Sequence, residues 1–182
     1  MKSKFILASF LSACALTRVA SATPPTTGLS SSGTMGVTCT VVGSINLTFA
    51  TDASGMAVTG TTTATASLPI GSVQMYGGTV PSKVTKALVS TTSFSLTTPF
   101  DVEVDLANSA SPTYTLTATL TTADLTNTWT LGGMDLGTGG AQTLTSTGAY
   151  GTPTSYTLVI SIPATEAAFS LTNSIAFAAS SN

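Results

Sequence analysis

Apolar residues recur at every second position along most of this chain, with threonine, serine or alanine between them. Tyr114, Leu116, Ala118 and Leu120 alternate with threonines, and Tyr156, Leu158, Ile160 and Ile162 repeat the pattern up to Pro163. Period two is the period of a β-strand, whose successive side chains point to opposite faces. Met35, Val37, Cys39 and Val41 alternate in the same way, as do Ile45, Leu47 and Phe49. Phe94, Leu96 and Phe100, then Val102, Val104 and Leu106, read as two strand pieces around Pro99. Residues 73–80, Trp129 with Leu131, and Ile175 with Phe177 supply further strands. Turn residues separate them at 52–55, 108–112 and 137–140. Only residues 165–169 suit a helical turn. Many short strands of this kind predict an all-β chain, and apolar residues on one face of each strand predict an immunoglobulin-like β-sandwich.

Charged residues make up 7% of the chain, against roughly a quarter in ordinary soluble domains. Threonine keeps an outer strand face wet without charge. The first 22 residues read as an export signal, with Lys2 and Lys4, an apolar run over 5–16, and an Ala20-Ser21-Ala22 cleavage site. A second reading stays open, because Leu11-Ser12-Ala13-Cys14 has the form of a lipobox that would make Cys14 a lipidated first residue. The apolar run is shorter than a membrane span. The expected organisation is a signal over 1–22, a Pro/Thr/Ser/Gly-rich leader over 23–41 and a sandwich over 42–182, in a secreted protein.

Beyond the signal, Lys83 and Lys86 face seven acidic residues, a net charge of −5. A basic face that could neutralise phosphates is missing, so nucleic acid is excluded as a partner. Histidine is absent from the sequence, which removes Ser-His-Asp and Cys-His catalysis as usually built. No enzyme activity and no cofactor are expected. Cys39 is the only cysteine beyond the signal and is expected to be a small buried hydrophobe. Asp101, Glu103 and Asp105 alternate with valines and share one strand face. Three readings of them stay open: a solvated outer face, a calcium site, or an acid pair for glycoside hydrolysis. Trp129 is read as core, with a sugar-binding face as the alternative.

Residues 35–56, MGVTCTVVGSINLTFATDASGM, resemble the N-terminal strands of fimbrial (pilus) subunits assembled by a periplasmic chaperone and an outer-membrane usher, notably those of the alpha clade. The C-terminal stretch YTLVISIPATEAAFSLTNSIAFAASSN is similar to the last two strands of pilins and spore-coat-U-like domains. The resemblance implies an incomplete sandwich completed by a neighbour's arm. Met35, Val37, Cys39 and Val41 would form the donor strand, in a groove lined by Leu158, Ile160, Ile175 and Phe177. It further implies head-to-tail self-association, chaperone and usher as partners, and a place at the bacterial surface. The chain departs from the pattern in its lone Cys39, and in carrying Phe169 and Leu171 where pilins have Gly and Tyr. Residues 114–120 and Trp129-Thr130-Leu131 also look like part of a WxL cell-wall-binding domain, without its second Trp motif. A secreted or wall-attached binding module for a glycan or protein ligand is therefore the rival expectation.

Overall fold

The computed structural model describes residues 32–60, 65–165 and 170–182. The expected export signal, Cys14, residues 23–31 and Phe169 lie outside them. The chain divides into two units, Met1–Cys39 and Thr40–Asn182. In the first, residues 32–39 carry neither strand nor helix.

The second unit is an all-β sandwich whose spine is β3 (Ser93–Ala107). Strict alternation buries Phe94, Leu96, Thr98, Phe100, Val102 and Val104 on its inner face. The strand runs unbroken through Pro99, where the sequence suggested two pieces. Strand β1 (Ser44–Ala50) pairs with residues 101–107, and β2 (Thr85–Ser90) pairs with residues 93–97 of the same edge. Pro99 falls in the gap between them, in a stretch with a ladder partner on one side only, so its missing N–H is tolerated there. Thr98 fills the gap chemically. Its hydroxyl accepts the Met56 N–H at 3.0 Å and donates to the Lys83 carbonyl at 3.3 Å, while the residue is 1% exposed. Gly55 fills it sterically, since a Cβ at that position would stand 1.9 Å from the Pro99 carbonyl oxygen.

Four more strands follow β3 in the order β4 (Tyr114–Leu120), β5 (Thr128–Leu131), β6 (Met134–Asp135) and β7 (Gln142–Gly148). The last two are β8 (Thr154–Pro163) and β9 (Ile175–Ser181). One sheet has the order β1-β3-β8-β5-β6, with β2 also on β3, and the other is β7-β4-β9. All pairings are antiparallel. The inner residues of β4 and β8 meet those of β3 in one core. The ring of Phe177 in β9 packs 5.1 Å from Phe49 and 6.1 Å from Phe100, tying the two sheets together. Trp129 is core, 5% exposed, with its indole N–H donated to Asp124 at 2.8 Å.

Two strands were not foreseen. Strand β2 is exposed at nearly every position, and β7 is mostly Thr, Ser and Gly, so neither alternates in hydropathy. Residues 73–80, expected as a strand, form none. Thr98→Val keeps the shape of Thr98 but leaves the buried Met56 N–H without its acceptor, at a cost of about 1–3 kcal/mol. Urea unfolding should show that loss in the variant, and a much smaller one in Thr98→Ser.

Candidate functional site: an open apolar groove beside β9

Strand β9 pairs with β4 on one side, and among the described residues its other edge has no strand partner. Its inward residues Ile175, Phe177 and Ala179 are only half-buried, whereas their neighbours on β4 are fully enclosed. The space they face is an open cavity of about 1680 Å³. Leu158 and Ile160 of β8 supply its floor, and Ile175 and Phe177 line its β9 side. The four residues expected to form an acceptor groove therefore stand around one apolar cavity. Residues 68–75 contribute a further part of its lining, with Leu68, Ile70, Val73 and Met75 packed against the core. The sequence carried a signal for this, four apolar residues in eight, but Pro69 and Gly71 interrupt the period.

The residues expected as a donor strand are not in a strand. Met35, Val37 and Val41 are 89%, 83% and 68% exposed. Cys39 is an exposed free thiol, which corrects the expectation of a buried one. Alternation places apolar groups on one face, but a strand exists only when its backbone finds a ladder.

Asp101, Glu103 and Asp105 point outward from alternate positions of β3. Two residues of strand separate each from the next by roughly 7 Å. Among the described residues no group of three or more ligating side chains could hold a metal ion. Asp101 instead meets Asp52, across the register that sets it opposite Ala50 of β1 and Ser155 of β8. Asp52 is held down to about 2 by the Ser54 hydroxyl, then by Ser155 and the Ser54 N–H, with Asp101 assisting. Burial pushes the Asp101 carboxyl up, and the neighbouring Asp52 charge adds to it. Asp124 shows the opposing balance. Burial pushes it up, but bonds from the Asn127 N–H, the Trp129 indole and the Asn127 amide outweigh that and leave it below the ordinary value. Its role is to pin the turn before β5.

The geometry thus offers an apolar groove and, among the described residues, no group of ligating side chains that could hold a metal ion. No family model matches this chain, and neither a curated protein nor a solved structure matches it. No helix among the described residues is long and apolar enough to cross a membrane.

The paired carboxyls carry a pH signature. Asp52, with its pKa lowered from 3.8 to about 2, stabilises the fold above its ordinary value and loses that contribution as pH falls toward about 2. Asp101 has the opposite sign: its contribution is complete below its ordinary value and fades as pH rises through its raised folded value. Asp52→Asn should bring the Asp101 titration down toward normal, because only burial then opposes its charge. Carboxyl-carbon NMR titration checks this, and an unmoved Asp101 would show that the two groups are not coupled.

Proposed function

We propose that this protein is the repeating subunit of a bacterial fimbria or related surface filament, and that each copy inserts residues 35–41 into the β9 groove of the next. The observation that carries the reading is a match between the two. One is a groove with apolar lining and an unpaired strand edge. The other is an exposed segment of alternating apolar residues, seven positions from Met35 to Val41 against the seven of β9. An entering strand gains backbone hydrogen bonds from the edge and pockets for alternate side chains. Burying one aliphatic side chain contributes roughly 1.5–3 kcal/mol. Burial of Met35, Val37 and Val41, together with the ladder, offsets the ordering cost of the segment.

Head-to-tail insertion uses different surfaces on the two partners and does not close, so it generates a filament. Val42 and Gly43 alone separate the arm from β1, which keeps consecutive subunits close. On the same reading the subunit is exported, a periplasmic chaperone shields the groove until an usher delivers the next arm, and no step is enzymatic. The rival, a secreted binding module, would put another ligand's apolar segment in this groove. Its glycan form would stack a sugar on an aromatic platform, and Trp129, though it lines the groove, is only 5% exposed.

Val37→Asp would bring an unpaired charge into an apolar groove, which is strongly disfavoured. The parent should run as a ladder of detergent-resistant multimers on an unheated gel and collapse to monomer on boiling. The variant should run as monomer throughout, with an unchanged circular dichroism spectrum. Multimers that survive both Val37→Asp and deletion of residues 23–41 would exclude the arm as the linking element. A deletion variant that cannot fold would favour the binding-module reading.

A further inference from the structure

Residues 68–75 form part of the groove lining without joining either sheet. Leu68, Ile70, Val73 and Met75 are half-buried, while Pro69, Gly71, Ser72 and Gln74 are exposed. This is the side-chain chemistry of an inserted strand, four apolar groups on one face. The backbone chemistry differs. Residues 68–80 are assigned neither strand nor helix, and within the segment the Ile70 N–H turns back to the Leu68 carbonyl. Glycines in the left-handed region stand at its middle and just beyond its end, Gly71 at φ 75° and Gly77 at φ 61°. Bonds to β2 and to the turn after it hold the far end. The Lys86 ammonium donates to the carbonyls of Gln74, at 2.8 Å, and Gly77. The Tyr76 hydroxyl donates to the Thr91 carbonyl at 3.2 Å.

We propose that residues 68–75 are a displaceable cover, which shields the apolar groove of the free subunit and is released when a neighbour's arm enters. The proposal rests on the filament reading. Cover and arm offer similar apolar groups to the same lining, but only the arm can also ladder with the open edge of β9. Exchange therefore runs toward the arm. Segments without a ladder open locally at lower free energy than core strands, so the cover can leave while both sheets stay intact. Lys86 is its latch, and Gly71 and Gly77 are the points where the chain bends.

The test uses the full chain carrying Val37→Asp, so that its own arm is disabled, and a synthetic peptide of residues 32–43 as the probe. Peptide binding is read by fluorescence anisotropy, and local opening by hydrogen exchange with mass spectrometry. On binding, amides of β9 should gain protection while those of residues 68–75 lose it. Lys86→Met removes the latch and should tighten peptide binding roughly three- to tenfold. Gly71→Ala supplies a second variant: its Cβ would meet nothing within 4 Å, so it disfavours only the bent backbone, and it should act in the same direction. If the peptide protects β9 while residues 68–75 keep their exchange rates and both variants bind no tighter, the segment is a fixed wall. The cover is then wrong and the filament reading stands. If the peptide binds none of the three proteins, both fall.

Discussion

A sheet edge that ends over exposed core is the constraint on which the rest of this molecule turns. Six strands on one side of the sandwich face three on the other. The inner faces of β3 and β8 are therefore broader than the sheet that covers them. Among the described residues the outer edge of β9 has no strand partner, and half-buried Ile175 and Phe177 face the cavity. Natural sheets usually blunt such an edge with charge, proline or a bulge. The inward positions of β9 carry none of these, and the irregular segment over residues 68–75 lines the same cavity.

The opposite sheet can tolerate this opening because its organisation does not depend on β9. A single strand, β3, receives β1, β2 and β8, and the gap between β1 and β2 on its edge is closed by the Thr98 hydroxyl and by the backbone at Gly55. The bond from Met56 and the bond to Lys83 tie the loops before β2 to the spine at its centre. The Phe49, Phe100 and Phe177 rings then carry that rigidity across to β9. Buried residues of β8 and half-buried residues of β9 line the groove, and its remaining lining includes a segment without a ladder.

Alternation revealed β1, β4, β5, β8 and β9 because each buries one face and wets the other. It hid β2 and β7, which lie at sheet edges and bury little. Pro99 misled in the other direction, since a lost backbone donor matters only where a partner strand waits for it. The inward placement of Leu158, Ile160, Ile175 and Phe177 was legible for the same reason as β8 and β9 themselves. The cover over residues 68–75 was not, because Pro69 and Gly71 break the period while its apolar groups still reach the core. Cys39 shows the limit of residue type as a guide. A thiol common in protein interiors lies exposed here because its segment has no ladder to bury it.

The scarcity of basic residues has a consequence for proteolysis. Proteases of the trypsin class cut after Lys or Arg, and beyond residue 22 this chain offers them only Lys83 and Lys86. Both ammonium groups are engaged, Lys83 with the Ala53 carbonyl and Lys86 with those of Gln74 and Gly77. The peptide bond after Lys86 lies within β2, laddered to β3. A surface made wet by hydroxyls rather than by basic charge is in this way also a surface with few places for such an enzyme to begin.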